Sequence, residues 1–248
     1  MRRNILITGA SSGLGAQMAR EFADRGRNLA LCARRDERLT ELRAELTSRH
    51  PNITVLTRKL DVTDYDDVFT AFGELSDQLG SLDRVIVNAG VGQGSPIGTG
   101  GFAANLNIMR TNLVGALAQC EAAMDVFRAQ HSGHLVVVAS VGALRGLPKD
   151  LSAYAASKAG LVNLAEGIRA DTLGGPIRVT TLYPGPIETD MNPDPSSVPL
   201  IVDTATGARA MVRAIEHEVA NACVPPWPWR PLAAAMRLLP LRIVAKFI

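Results

Sequence analysis

Short runs of aliphatic and β-branched residues alternate along this chain with longer segments of helical periodicity. The runs predict strands at 4–8, 28–33, 53–57, 84–88, 134–140, 177–183 and, more briefly, 222–224. The helical segments between them lie near 14–25, 36–49, 64–79, 103–130, 153–173 and 205–219. Because the strands are apolar throughout, they are expected to be buried on both faces. The pattern predicts an α/β fold, a doubly wound seven-stranded parallel sheet flanked by helices.

Composition places the whole chain, 1–248, in one domain. The residues are 47% apolar and the net charge is +2, with acids and bases interspersed and no basic block that would indicate nucleic-acid binding. No apolar run reaches the ~18 residues of a membrane span. The apolar run in "MRRNILITG" is too short for a signal peptide, so it is interpreted as the first strand.

The cysteines and histidines do not suggest a metal site. Cys32, Cys120 and Cys223 are far apart and fit no metal-ligand spacing, so they are interpreted as free thiols in a reducing cytoplasm. The histidines do not cluster, and surface exposure is the expectation for them; they are His50, His131, His134 and His217. No metal is predicted.

A glycine-rich turn follows the first predicted strand. The stretch "TGASSGLG" places Gly9, Gly13 and Gly15 between that strand and the next helix. Glycine permits a tight turn and close approach of the backbone to a pyrophosphate, and a helix start offers free N–H groups. The turn therefore predicts a dinucleotide site in a Rossmann-type domain, and an ordinary strand-to-helix turn is the alternative.

The end of the second strand bears on which dinucleotide binds. An acidic residue there favours NAD(H), whereas cations favour the 2′-phosphate of NADP(H). The chain has Arg34 and Arg35 at this point, and arginine can bind a phosphate with two parallel hydrogen bonds. We therefore expect NADP(H) rather than NAD(H). The alternative is that both arginines belong to a solvated loop.

Tyr154 and Lys158, in "YAASK", are four residues apart and so share one helix face. A cationic neighbour favours the phenolate, so the pKa of Tyr154 is expected to be lowered. Ser140 ends the preceding strand "VVVAS", at the carboxyl edge where ligands of parallel sheets bind. The loop between Ser140 and Tyr154 would let both hydroxyls converge on one carbonyl oxygen.

Seven motifs occur in order: "TGASSGLG", "DVTD", "VNAG", "NLVG", "VVVAS", "YAASK" and "YPGPIETDM". With them the chain resembles the short-chain dehydrogenase/reductase family from residue 3 to about 192. The resemblance implies an oxidoreductase that interconverts a carbonyl and a secondary alcohol. Tyr154 would be the acid or base, Lys158 would hold the nicotinamide ribose, and Ser140 would bind the substrate oxygen. Asn112 would kink its helix and hold a water.

The same resemblance implies a set of cofactor contacts. Asp61 would meet the adenine amino group, and Asn88 and its neighbours would line the adenine ribose. The segment "YPGPIET" would seat the nicotinamide carboxamide, through Pro184, Gly185, Ile187 and Thr189. The implied cofactor residues are Gly9, Ser11, Ser12, Gly13, Leu14, Gly15, Arg34, Arg35, Asp61, Val62, Asn88, Ala89, Gly90, Tyr154, Lys158, Pro184, Gly185, Ile187 and Thr189. The rival hypothesis is a non-catalytic dinucleotide-binding sensor or scaffold, which the intact catalytic residues disfavour.

Two segments bear on substrate and partners. The resemblance assigns 188–221 to a substrate-binding lid, and its apolar residues favour an apolar carbonyl or alcohol; they are Met191, Val198, Leu200, Ile201 and Val202. The tail, 225–248, mixes Trp, Leu and cations. It fits either peripheral membrane contact through 231–248 or packing over the cleft or into a subunit interface. Pro240 is expected to divide it into two helices.

The resemblance also implies a homodimer or homotetramer. Relatives often pair through the two long helices that hold Asn112 and Tyr154. Small residues on these helices would allow close approach; they are Ala116, Ala155, Ala156, Ala159 and Gly160.

Overall fold

Residues 2–189 and 200–244 are described by the structure, a computed structural model. Its strands are β1 Asn4–Thr8, β2 Asn28–Ala33, β3 Val55–Lys59, β4 Arg84–Val87, β5 Gly133–Val138, β6 Ile177–Pro184 and β7 Asn221–Val224. They form one seven-stranded sheet in the order β3-β2-β1-β4-β5-β6-β7, and every pairing is parallel. The order changes direction between β1 and β4. The carboxyl edge of the sheet at this point is where a doubly wound fold binds its ligand.

Helices cover both faces of this sheet. They are α1 Gly13–Ala23, α2 Asp36–Arg49, α3 Tyr65–Leu79, α4 Phe102–Met109, α5 Gly115–Ala129, α6 Ser152–Asp171, α7 Thr204–Glu216, α8 Pro226–Leu238 and α9 Leu241–Val244. Successive residues of a strand point to opposite faces, so Leu6 packs with Phe72 and Phe127 while Ile5 and Ile7 pack on the other side. The two-sided burial predicted from the apolar strands is confirmed for the five inner strands, whereas the edge strands β3 and β7 are only partly buried.

One helical segment contains an irregular turn that periodicity did not predict, and another is divided where a division was expected. The segment predicted as one helix over 103–130 is divided into α4, a π-helical turn at Arg110–Val114, and α5. The tail forms α8 and α9 on either side of Pro240, as expected from a residue that cannot continue a helix.

No helix among the described residues is long and apolar enough to cross a membrane. No group of three or more potential metal ligands occurs in the same part of the chain.

A buried polar network ties the amino edge of the sheet to α7. The Arg84 guanidinium, 1% exposed, donates from Nε to His134 Nδ1 over 2.8 Å and from Nη1 to Glu216 Oε1 over 2.6 Å. His134 Nε2 lies 2.8 Å from Thr180 Oγ1. Since Nδ1 accepts from Arg84, the ring is neutral, and burial together with Arg84 lowers the pKa of His134 to about 2. The expectation of a surface position was therefore wrong for His134, because its partner on β4 satisfies it inside the protein.

Candidate active site

A cradle without side chains lies between β1 and α1. Gly9 has a φ of +64°, and a Cβ built there would lie 2.9 Å from Ala89 Cα. A Cβ on Gly15 would lie 2.3 Å from the Gly9 carbonyl oxygen. α1 begins after Ser12 without a side-chain cap, so its first N–H groups remain available to an anion. The cradle fits the pyrophosphate of a dinucleotide, and of the expected residues it holds Gly9, Ser12, Gly13, Leu14 and Gly15.

Thr8 and Asn88 hold the floor of this cradle. Thr8 Oγ1 accepts the backbone N–H groups of Asn88 and Ala89 over 3.0 and 3.1 Å. Asn88 Nδ2 donates in return to the Thr8 carbonyl oxygen over 2.9 Å. The Asn88 amide, expected to line the adenine ribose, is thus engaged in joining the carboxyl ends of β4 and β1. Thr8 was not among the residues expected from the sequence, where its one signal is its place directly before Gly9.

The next two strand ends lie beside the cradle. Arg35 donates from Nε to Ser11 Oγ over 3.1 Å and from Nη2 to Ser12 Oγ over 2.5 Å. Arg34 and Arg35 are both exposed. After β3, Asp61 accepts the N–H of Thr63 over 3.0 Å and its hydroxyl over 2.8 Å. The cationic pair therefore faces solvent at the rim of the cradle, and Asp61 is fixed in a turn; Val62 beside it is buried.

Asn112 lies in the π-helical turn, fully buried. Its Oδ1 accepts the Val91 N–H and its Nδ2 donates to the Val91 carbonyl oxygen, both over 2.8 Å. Nδ2 also lies 3.3 Å from Ser157 Oγ on α6. A single side chain thus satisfies both backbone groups of the loop after β4 and reaches the helix that carries Tyr154. The irregular turn lies where the family resemblance implied a kink.

Ser140, Tyr154 and Lys158 come together at the end of β5. Ser140 Oγ accepts the Gly142 N–H over 3.0 Å, capping a 3₁₀ turn at Val141–Leu144. A Cβ on Gly142 would meet Ser140 Oγ at 3.3 Å and Tyr154 Cε1 at 3.7 Å, so both residues adjoin this glycine. Lys158 Nζ lies 6.0 Å from the centroid of the Tyr154 ring. The close spacing predicted from the sequence is therefore present.

The Lys158 ammonium is hydrogen-bonded to the end of β5. Its Nζ donates to the Val138 carbonyl oxygen over 2.9 Å, and the side chain is 5% exposed. A Cβ on Gly90 would lie 3.6 Å from Lys158 Nζ and 3.2 Å from Asn112 Oδ1. The absence of a side chain at Gly90 thus leaves room for the ammonium beside Asn112.

Burial dominates the proton chemistry of this cluster. It raises the pKa of Tyr154 above its ordinary value, and a hydrogen bond with Ser140 acts in the opposite direction. Burial also lowers the pKa of Lys158 to about 8. The expected lowering of the Tyr154 pKa by Lys158 is therefore not found in the protein alone, because the cost of burying a phenolate is the larger effect.

The loop after β6 closes the other side of the cleft. β6 ends at Pro184, and the Gly185 N–H donates to the Val224 carbonyl oxygen over 3.0 Å. Ile187, 3% exposed, pairs with Val202 in an isolated parallel bridge. A Cβ on Gly13 would meet Thr189 Cγ2 at 3.4 Å. The loop expected to seat the nicotinamide thus returns to the glycine cradle.

The tail packs against this loop. The Trp229 indole lies so close to Gly185 that a Cβ there would be 2.3 Å from Nε1. Trp229 also packs with Val141 and Tyr183, and Arg145 Nη2 donates to the Leu239 carbonyl oxygen over 2.9 Å. One side of α8 therefore packs on the protein beside the cleft, which was one of the two alternatives expected for the tail. Within the expected lid, Met191 and Val198 lie outside the described residues, and Leu200 is 54% exposed.

Comparisons with known proteins agree on the type of protein. The family model described as short chain dehydrogenase matches residues 3–197. An uncharacterised oxidoreductase of Mycobacterium tuberculosis is 54% identical over 246 residues, covering 99% of this chain and 97% of that protein.

Solved structures give the same fold. A short chain dehydrogenase/reductase from Burkholderia phymatum in complex with NAD is 21% identical, with a TM-score of 0.84 over 99% of this chain and 95% of the other. An NADPH-dependent 3-quinuclidinone reductase from Rhodotorula rubra is 27% identical, with a TM-score of 0.77 over 86% of this chain and 84% of the other. Both solved structures therefore share the fold of this chain.

Proposed function

The chain belongs to the short-chain dehydrogenase family, and from this premise we propose that it interconverts a carbonyl and a secondary alcohol with NADP(H). The observation that carries the proposal is the convergence of Ser140, Tyr154 and Lys158 beside the side-chain-free cradle. Gly142 adjoins both hydroxyls, and the Lys158 ammonium lies 6.0 Å from the phenol ring. Two hydroxyls and a cation at the carboxyl edge suit a polarised oxygen of substrate.

The residues of the chain supply position and a proton. Ser140 Oγ accepts from the Gly142 N–H and hydrogen-bonds with the Tyr154 hydroxyl, and in the proposed reaction it donates its hydrogen to the substrate oxygen. Burial keeps Tyr154 protonated at neutral pH, since the pKa of its phenol is raised. Tyr154 therefore acts as the general acid when a carbonyl is reduced. A bound nicotinamide dinucleotide supplies or accepts the hydride.

Lys158 serves as a cation that titrates near neutral pH, because burial lowers its pKa to about 8. The Val138 carbonyl oxygen accepts a hydrogen bond from its ammonium, and Gly90 leaves room for the ammonium on another side. In the proposed function its ammonium also holds the hydroxyls of the nicotinamide ribose. Its charge opposes protonation of Tyr154 and so assists the reverse reaction, in which an alcohol loses a proton to the phenolate.

The preference for NADP(H) rests on Arg34 and Arg35. Both are exposed at the rim of the cradle, and Arg35 donates to Ser11 and Ser12 within it. An arginine pair at this strand end suits the 2′-phosphate. Arg34→Ala should raise the KM for NADPH about tenfold or more and leave the KM for NADH unchanged. Arg43→Ala, an exposed arginine on α2, is the control, and equal losses for both cofactors would contradict this assignment.

Turnover of a panel of apolar ketones, aldehydes and secondary alcohols with NADPH and NADH tests the reaction. Tyr154→Phe should lose nearly all turnover while retaining dinucleotide binding, because the phenyl ring keeps the packing and removes the proton. Tyr65→Phe, on the exposed start of α3, should behave like the wild type. Stoichiometric dinucleotide binding without turnover of any panel member would favour the sensor hypothesis instead.

The finer proposals concern substrate and assembly. Leu200 and its apolar neighbours in the lid favour an apolar carbonyl or alcohol. Val114 and Leu117, in the π-helical turn and α5, are each 40% exposed, which supports a homodimer or homotetramer that pairs through the helices holding Asn112 and Tyr154. The unpaired thiols, two of them buried, support a cytoplasmic location.

A further inference from the structure

An arginine-rich groove of about 1080 Å³ follows the open edge of β7, between α6, α7 and α8. Its charged lining consists of six arginines and a single carboxylate, Glu166; the arginines are Arg25, Arg169, Arg209, Arg213, Arg230 and Arg237. A groove with this charge balance attracts anions. It lies outside the catalytic cluster and has no part in the proposed reaction.

Two of these arginines lie on α8, are exposed, and have no ion-pair partner among the described residues. Arg230 and Arg237 are seven residues apart, so they lie on one helix face, and both are exposed. Within the described part of the chain neither takes part in an ion pair. By contrast, Arg25 pairs with Glu21, and Arg169 is bound by the Val179 carbonyl and the Thr181 hydroxyl. Arg230 and Arg237 are therefore free to contact an external anion.

The same segment exposes large apolar side chains. Trp227 is 77% exposed, Leu238 85%, Leu241 58% and Ile243 41%. The sequence from 219 to 248 contains no Asp or Glu, while it carries three arginines and one lysine. Exposed Trp and Leu among cations, without acids, are typical of segments that lie in a membrane interface.

This surface borders the entrance to the catalytic cluster. Arg145, in the loop after β5, donates to the Leu239 carbonyl oxygen. That loop also meets the loop after β4, where a Cβ on Gly94 would lie 2.4 Å from the Asp150 carbonyl oxygen. The loop after β4 and the start of α4 expose two further apolar side chains, Ile97 at 71% and Phe102 at 75%. Exposed apolar residues therefore lie on two segments that contact the loop after β5, which begins near Ser140 and leads to Tyr154.

We propose that this tail face, defined by Trp227, Arg230, Arg237, Leu238, Leu241 and Ile243, docks on a bilayer that contains anionic phospholipids. The arginines would contact headgroup phosphates while the apolar side chains enter the interface. A second copy of the chain suits the face less well. Two-fold pairing places the same patch on both partners, so arginine-rich grooves would face each other and repel. In this orientation the substrate entrance faces the lipid.

Co-sedimentation of the full chain with vesicles tests the proposal. The wild type should bind phosphatidylcholine vesicles containing phosphatidylglycerol at low salt, bind pure phosphatidylcholine weakly, and lose binding as salt rises. Each basic residue near an anionic surface contributes about 1 kcal/mol, or about fivefold in partitioning. Arg230→Gln with Arg237→Gln should therefore weaken binding about 25-fold. Leu238→Ser with Leu241→Ser should weaken it through the apolar contribution.

Matched controls separate this surface from the rest of the protein. Arg43→Gln changes an exposed arginine on α2, near the opposite edge of the sheet. Leu173→Ser changes a leucine that is 77% exposed between α6 and β6, at the amino edge of the sheet. Both controls should bind as the wild type does, and all the variants should keep the wild-type unfolding midpoint.

Three results would overturn the proposal. The first is that the wild type does not bind phosphatidylglycerol vesicles at low salt. The second is that the control variants lose as much vesicle binding as the tail variants do. The third is that the wild type binds no vesicles and is a dimer, which Leu238→Ser with Leu241→Ser converts to a monomer. The last result would assign the face to a second copy of the chain. None of these readouts depends on turnover, so failure here leaves the proposed oxidoreductase function intact.

Discussion

Replacing Lys158 by Met should change the stability of the protein in a pH-dependent manner. The lysine is 5% exposed, and burial lowers its pKa from 10.5 to about 8. At pH values between 8 and 10.5 the unfolded chain therefore binds a proton that the folded protein does not. The contribution of Lys158 to the free energy of unfolding consequently rises with pH across this window. At pH 7 the buried ammonium destabilises the fold by about 3 kcal/mol relative to a neutral amine.

Methionine removes the charge while keeping an unbranched side chain of similar length. The variant loses the hydrogen bond from Lys158 Nζ to the Val138 carbonyl oxygen, which leaves a buried acceptor unpaired at a cost of about 1–3 kcal/mol. At pH 7 the variant should thus be as stable as the wild type, or up to about 2 kcal/mol more stable, although it should be inactive. Between pH 7 and pH 10 its stability relative to the wild type should fall by about 2.5 kcal/mol.

Urea unfolding of the wild type and Lys158→Met at pH 7 and pH 10, without cofactor, measures this change. The pH-independent loss of the Val138 hydrogen bond cancels in the comparison, so the change isolates the buried charge. Lys59→Met, at the exposed end of β3, should show no such dependence. A stability difference between wild type and Lys158→Met that stays constant from pH 7 to pH 10 would refute the reasoning.

Two further predictions concern packing. Gly185→Ala would place a Cβ within 2.5 Å of the Trp229 indole and should cost about 1–3 kcal/mol. Combined with Trp229→Ala it should cost less than the sum of the single changes, because the clash is gone; additive losses in urea unfolding would contradict the contact. Arg84→Met leaves the buried His134 Nδ1 without its donor, while Glu216 keeps Arg27 as a partner over 2.7 Å. The change should lower the free energy of unfolding by about 1–3 kcal/mol, whereas an unchanged midpoint would show that the network contributes nothing.

Local pattern was sufficient for most of the fold. The bounds predicted for β1, β2 and α2 agree with the structure residue for residue, since apolar runs and helical periodicity are properties of neighbouring residues. Helical periodicity predicted the helical segment over 103–130 but not the π-helical turn at Arg110–Val114 inside it, which only the family resemblance implied, as a kink at Asn112. Asn112 bonds to the backbone of Val91, twenty-one residues earlier, and helical periodicity alone does not register that bond.

In the candidate site, too, local spacing could be predicted from the sequence and long-range contacts could not. The spacing of Tyr154 and Lys158 follows from helix geometry, so sequence alone could place them together. What holds them could not be inferred, because Lys158 is bound by the carbonyl of Val138 on a different element. Trp229 approaches Gly185 from 44 positions further along the chain, and no pattern around either residue points to the other. Contacts between distant segments depend on the assembled sheet.

The two pKa shifts in the catalytic cluster have one cause and complementary consequences. Burial disfavours both the phenolate of Tyr154 and the ammonium of Lys158. The protein alone thus presents a neutral phenol, which can only donate a proton, and this matches reduction of a carbonyl. Oxidation of an alcohol needs the phenolate, and the positive charge of an oxidised nicotinamide nearby would favour that form. In the proposed reaction the protonation state of Tyr154 would therefore follow the redox state of the bound dinucleotide, which lets one hydroxyl serve both directions.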